Sequence, residues 1–422
     1  MSGDLAVLPS FEDFQKQIPS ESLFDGKSWK SSPKPLILSE KHHQILERLG
    51  PLLTTFVRAC NLLYRQSVEG KRPAWIAQWM DHGKPEKLIQ MSRASRWKNE
   101  IPQVIRPDLV LTEEGFALCE IDSIPGGIGM TAWLQETYSK FGFSIQGGDF
   151  GMRVGFQSIF PEGDVLISEE AADYRPEFEW LLGADRVKSA ELGLSPSSSI
   201  YRFFEAFDWE RISGWEEWME KGSRMTPPLK PFLEEKIWLA LLGMRPLRDF
   251  WRRELGDKGL ALLLSVVPES WVLDPTPLPP HAVLPGLGIQ DWQEMKQMSQ
   301  KERELVMKVS GFSPSAWGSR GVWIGSDLST EEWGKVVEEG LQKFEESPRI
   351  LQRFVKGASL SHPFWNGEGE VIEMKGRARI SPYYFVTGDQ TVLGGTLATI
   401  CPPDKKKIHG MKEAILVPVA AI

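Results

Sequence analysis

The stretch RPDLVLTEEGFALCEIDSIPGG, Arg106 to Gly127, has the pattern of a β-hairpin with a loop behind it. Asp108 to Leu111 is a short apolar run, Thr112 to Gly115 is a polar turn ending in glycine, and Phe116 to Asp122 is a second apolar run. Side chains alternate faces along a strand, so Glu120 and Asp122 fall on one side. A turn centred near Glu114 sets Asp108 against Glu120 and Arg106 against Asp122. Like charges facing each other across paired strands destabilise them unless a counter-charge intervenes. A cation that prefers oxygen ligands, such as Mg2+, would supply one, with Asp108, Glu120 and Asp122 as its ligands. The alternative is an exposed polar face with its acids in water. Ile124-Pro-Gly-Gly-Ile-Gly, next in the chain, is a loop that permits close backbone approach.

Composition bounds what surrounds this hairpin. A chain of 422 residues exceeds one ordinary core, so two or three packed domains are expected. Hydrophobic content of 41% and charged content of 25% belong to a soluble globular class. A net charge of -8 argues against a general nucleic-acid binder. The amino terminus lacks the basic start and apolar core of a secretory signal, and no apolar run approaches a membrane span, so a cytoplasmic protein is expected. The three cysteines, Cys60, Cys119 and Cys401, are far apart in apolar contexts and suit a reducing compartment. The six histidines form no ligand pair at helical spacing, so zinc is not expected.

Along the chain, residues 1–40 are rich in Pro, Ser and Lys and read as an arm over the surface. Apolar residues recur at helical spacing from Ser39 to about Arg65, with a kink expected at Pro51. Short helices follow over 73–96, and another over Thr131–Phe141. Asp164 to Ser168 reads as a buried strand, Tyr174 to Leu182 as a helix, and the residues near Val187 as a second strand. This βαβ unit predicts a partly parallel sheet. Ser199 to Phe204 reads as a strand, and 207–229 as an irregular connector. Lys230 to Leu255 is helical with a break expected at Gly243 to Pro246, Leu260 to Val267 a buried strand or helix turn, 274–288 a proline-rich loop, and Trp292 to Glu304 a charged helix. Strands are expected at Leu305–Ser310 and Val322–Gly325, a helix at Thr330–Ser347, and short strands at 350–355, 370–379, 383–386 and 396–400.

A strand that ends in a lysine, followed by a flexible glycine loop and a second strand, can bind phosphate without being a P-loop. The lysine supplies a point charge and the loop's N–H groups close over the phosphates. Lys308 and the loop SGFSPSAWGSRG, with Gly318, Ser319, Arg320 and Gly321 at its far end, have this order. An ordinary hairpin is the alternative. Ile350 to Val355 is an apolar strand carrying Gln352; as an edge it could read adenine through backbone groups and the amide. A core strand with a solvent-facing glutamine is the alternative here. Lys236, on its helix, would ordinarily lie on a solvated face.

The order of these pieces resembles the circularly permuted ATP-grasp ligases, as in the synthetase domain of glutathionylspermidine synthase. In that family an R-x-D segment and an acid-x-Asn followed by proline and glycine precede the nucleotide half. Arg106-Pro-Asp108 and Glu120-Ile-Asp122 stand in those places. The resemblance implies an α/β fold with α+β elements: residues 41–150 as the metal-binding part of the core, 151–229 as a small βαβ substrate-side subdomain, and 230–422 as the nucleotide-binding part. It implies ATP and two Mg2+ ions, held by Asp108, Glu120 and Asp122. Arg106 would stand over the transferred phosphoryl group, with Lys236 and Lys308 on the phosphates, Gly318 to Gly321 as their cover, and Gln352, Phe354 and Val355 in the adenine hinge.

There are departures. Asp122 replaces the family's asparagine, and the late arginine is missing behind Gly394-Gly395, where Arg377 and Arg379 of a neighbouring strand could supply the charge. The activity implied is amide formation between a small-molecule carboxylate and an amine through an acyl phosphate. The rivals are a phosphotransferase and a non-catalytic nucleotide-binding protein on the same scaffold. Neither a nucleic acid nor a membrane is an expected partner, and the oligomeric state is left open.

Overall fold

The computed structural model describes residues 8–19, 23–24, 27–193, 199–316, 318, 320–408 and 412–422. The chain divides into two compact units. Met1–Thr54, Pro102–Pro228 and Lys356–Ile422 form the first, and Thr55–Ile101 and Leu229–Val355 the second. Residues 356–422 therefore leave the nucleotide half that the sequence suggests and join the hairpin. The cause is backbone pairing with Val104–Leu111.

In the first unit an antiparallel sheet runs in the order Ile415–Pro418, Gln390–Cys401, Val371–Thr387, Val104–Leu111, Phe116–Asp122, with Leu360–Trp365 on the far end of the long strand. The short strands expected over 370–400 are two long ones. Pro382 lacks an N–H and suggests a break, but the register shift between Tyr383 and Tyr384 absorbs the disturbance and the ladder continues on both sides. Glu40–Val68 is one helix running unbroken through Pro51. Its Leu46, Leu49 and Leu53 are buried, and Tyr384 donates its hydroxyl to the Leu46 carbonyl at 2.6 Å.

The second sheet of this unit, Val187–Ser189, Asp164–Ile167, Ile200–Phe203 and Met225–Thr226, is parallel throughout, as the βαβ pattern predicts. The span 207–229 is more ordered than expected, with a helix at Trp215–Lys221 that buries Trp215 and Trp218. Near the amino terminus the short helix Phe11–Gln15 buries Phe14 against Trp133 and Trp365.

The second unit holds an antiparallel sheet ordered Ser270–Val272, Arg349–Arg353, Leu305–Val309, Val322–Ile324. The helix Thr330–Gln342 packs Trp333 and Val337 into the core beside it, and the Ser329/Glu332 capping box satisfies its first N–H groups. The charged helix expected over 292–304 is only a 3-10 segment, Trp292–Gln297, which buries Trp292 and Met295. Leu260 to Val266 belongs to the helix Arg248–Val266. The span 274–288 is the loop that its prolines predict.

Two predictions test this packing. A Cβ at Gly50 would lie 2.4 Å from the Tyr384 ring. Gly50→Ala should therefore destabilise the protein by about 1 kcal/mol or more in urea unfolding, even after the gain in helix propensity. In the second unit Lys230 is buried and donates to Asn61 Oδ1 at 2.9 Å and to the Glu100 carbonyl at 2.7 Å. Burial pulls its pKa from 10.5 down to about 7. The unfolded chain then binds more protons between those values, so this residue's contribution to stability rises as pH climbs from about 7 to 10.5. Lys230→Met should flatten that part of the stability profile, measured as urea midpoints across the range.

Candidate functional site

The hairpin pairs as its pattern predicts: Asp108 lies opposite Glu120, and Arg106 opposite Asp122. The route to this register is less direct. Near the turn Leu111 pairs with Phe116 and Leu109 with Leu118, a register that carried onward would set Asp108 against Cys119 and Arg106 against Ile121. One extra residue, Cys119, bulges out of the second strand and brings both acids onto the face of Asp108.

The same face receives the polar side chains of the long strand. Val110 pairs with Arg379, so alternation carries Arg377, Arg379, Ser381 and Tyr383 to one side. Asp108, only 2% exposed, is the centre of the group. Its Oδ1 accepts from Ser381 Oγ at 3.0 Å and lies 3.0 Å from Arg106 Nε. Its Oδ2 accepts from Arg106 Nη2 at 3.3 Å and from Arg379 Nη1 at 3.2 Å. Arg106 Nη2 also lies 3.0 Å from Asp122 Oδ2, and Arg106 Nη1 donates to the Gly126 carbonyl at 3.1 Å. Tyr383 donates its hydroxyl to that carbonyl too, at 2.7 Å. Gly127 has φ +85 and leaves no room for a Cβ beside the Tyr383 hydroxyl, so the loop after the hairpin needs its glycine on both counts. Arg377 instead donates to the Pro403 carbonyl.

Burial works against the Arg106 charge, and the adjacent Asp108 and Asp122 carboxylates outweigh it, holding its pKa well above the ordinary value. Burial raises the Asp122 carboxyl while Arg106 opposes it; with 32% of this side chain exposed, water screens part of that effect. Tyr383 is pushed up to about 12, chiefly by burial.

The Mg2+ site implied by the resemblance has to fit these donors. Both Asp108 oxygens are engaged as above, and Asp122 Oδ1 accepts the Ile124 N–H at 2.8 Å. Among the described residues no group of three or more His, Cys, Asp or Glu side chains is disposed to hold a metal ion. In this arrangement the residues do not fit the metal pair. Arg106 supplies counter-charge to Asp108 and Asp122, with Arg379 on the other side of Asp108.

In the second unit, Lys308 is buried and donates to Gln352 Oε1 at 2.8 Å, and Gln352 Nε2 donates to Ser270 Oγ at 3.2 Å. Arg349–Arg353 is an interior strand, paired on both sides, so Gln352 is neither on an edge nor facing solvent. The Phe354 N–H is taken by the Glu304 carbonyl at 3.0 Å, and Val355 is half-buried. Lys236, seventy-odd residues before Lys308, is brought to the far end of its strand: its N–H donates to the Ser310 carbonyl at 3.1 Å and its Nζ to the same oxygen at 3.4 Å. Gly321 packs where a Cβ would meet the Ser315 carbonyl, Gly318 has φ +63 and Arg320 is exposed. Ser319 lies outside the described residues.

Ser381 and Tyr383 were not singled out by sequence, although the period-two run Arg377, Arg379, Ser381, Tyr383 carried the signal.

No protein-family profile matches the sequence, and no curated protein is similar to it in sequence. Among solved structures, the chain shares the fold of a glutathione synthetase-like effector from Globodera pallida, with a TM-score of 0.52 at 10% identity over 93% of this chain and 90% of that one. A Methylobacillus flagellatus protein named as a candidate gamma-glutamylcysteine synthetase aligns over 92% of this chain and 89% of its own, with a TM-score of 0.40 at 14% identity, too loose an overlap to build on. The fold is thus α/β, shared with the Globodera pallida protein.

Asp108→Asn should cost about 3–5 kcal/mol in denaturant unfolding, because it leaves two guanidinium groups around a neutral amide in a buried setting. A loss under about 1 kcal/mol would mean that Asp108 does not organise this face.

Proposed function

We propose that the protein is an ATP-dependent ligase that joins a small-molecule carboxylate to an amine. The observation that carries this reading is the meeting of Lys236 with Ser310, two residues beyond Lys308. It brings one cation, Lys236, to the root of a glycine-serine loop, at the end of the strand that carries the other. Two ammonium groups and a run of backbone N–H groups are what a triphosphate needs.

In the reaction a carboxylate oxygen of the substrate attacks the γ-phosphorus of ATP, and the bond to the β-phosphate oxygen breaks to release ADP. The amine nitrogen then adds to the acyl carbon, loses a proton, and expels inorganic phosphate as the C–O bond breaks. Neither step needs a protein nucleophile, so positioning and charge carry the acceleration. Lys236 and Lys308 of the second unit hold phosphate oxygens. Arg106 and Arg379, on the first unit's sheet face, offer positive charge to an anionic group, and Arg377 sits farther along the same strand. The resemblance also implies Mg2+, whereas Asp108 and Asp122 are here paired with arginines.

That pairing favours a second reading, a nucleotide-binding protein without turnover. One assay separates the two: the chain with Mg2+-ATP and a panel of amino acids, short peptides and polyamines, following ADP and the mass of any coupled product. Amine-dependent ADP release with an amide product is expected; ATP binding with no ADP from any pair would leave only the second reading. Lys308→Met should weaken ATP binding by roughly ten-fold or more, equivalent to losing one charge-assisted contact of about 1.4 kcal/mol. Unchanged ATP affinity in that variant would remove Lys308 from the site.

A further inference from the structure

Lys84 and Glu235 form an ion pair inside the second unit, with both side chains 1% exposed. Nothing in the reaction above uses it. The pair sits at the start of the glycine-serine loop. Glu235 Oε1 accepts the Phe312 N–H at 3.3 Å as well as the Lys84 ammonium, and the ammonium stands 5.6 Å from the centre of the Phe312 ring. Gly311 lies against the same carboxyl, where a Cβ would approach its carbon to 2.7 Å. The residues after Glu235 grip the loop from the other side. Lys236 N–H donates to the Ser310 carbonyl at 3.1 Å, and Ile237 N–H to Ser310 Oγ at 3.1 Å, while Ser310 N–H donates to the Pro348 carbonyl at 2.9 Å.

A carboxylate beside a loop that receives phosphates would ordinarily repel them. Here Lys84 cancels its charge, and burial keeps water from competing for its hydrogen bond. We propose that Glu235, neutralised by Lys84, is a positioning residue that fastens the loop root Ser310-Gly311-Phe312 to Lys236, so that both parts of the phosphate grip are held in one place before ligand arrives. The role in phosphate binding rests on the nucleotide reading above; the fastening itself does not.

Two measurements on the full-length chain keep these apart. The first is chymotrypsin cleavage after Phe312 without nucleotide, mapped by mass spectrometry well below the unfolding midpoint. The second is the affinity for a fluorescent ATP analogue. Glu235→Ala should speed cleavage by roughly ten-fold, the equivalent of losing one charge-assisted hydrogen bond. Its ATP affinity should fall in step. Glu235→Gln, which keeps an acceptor for the Phe312 N–H, should recover most of the protection.

If Glu235→Ala does not fold, the double variant Lys84→Met with Glu235→Met leaves no buried charge and still lacks the acceptor, so it should be cleaved as fast. Cleavage at the wild-type rate in the folded variant overturns the proposal. Faster cleavage in a protein whose wild type binds no ATP analogue overturns the nucleotide reading and leaves the fastening in place.

Discussion

A carboxylate taken out of water costs several kcal/mol unless donors surround it, and Asp108 is almost wholly out of water. Close contacts to it come from its own strand and from the long strand beside it, among them Arg106, Arg379 and Ser381. They can converge only if Val104–Leu111 and Val371–Thr387 keep the register that sets Val110 against Arg379. A slip by one residue would turn Arg379 and Ser381 to the opposite face and strand the charge. The demand of one buried anion thus ties the carboxy-terminal strands to the hairpin. Through Arg106 and Tyr383 it also orients the glycine loop that follows.

The hairpin teaches how a correct pattern can hide its cause. Alternation and a turn near Glu114 lead to the right cross-strand partners for Asp108 and Arg106. Yet the turn itself is set half a residue away, and the Cys119 bulge makes up the difference. Composition around Cys119 carries no mark of a bulge, because a bulge answers to what lies across the sheet. The three acids were legible as a problem of charge in need of a partner. Arg106 beside them was legible too, but Arg379 was not, since the register with a strand some 270 residues later brings it to Asp108.

In the second unit the strand–loop–strand run around Lys308 stands where its sequence puts it. The edge position expected for Gln352 fails because Ser270–Val272, a three-residue strand, pairs on its outer side. Glu235 and Lys84 illustrate a more general blindness. A charged residue in a polar stretch defaults to solvent, and only the packed structure reveals two that meet inside it, 151 positions apart.

By itself, the sequence determined whatever depends on near neighbours. That covers the hairpin and its facing residues, the parallel βαβ unit, the long amphipathic helices, and the strand and loop around Lys308, since periodicity and turn chemistry act over a few residues. Tertiary structure decided which distant pieces share a sheet, where a strand runs on through Pro382, and which buried charges neutralise each other. Those outcomes come from backbone ladders and desolvation, whose energies depend on partners remote in the chain and leave no local trace.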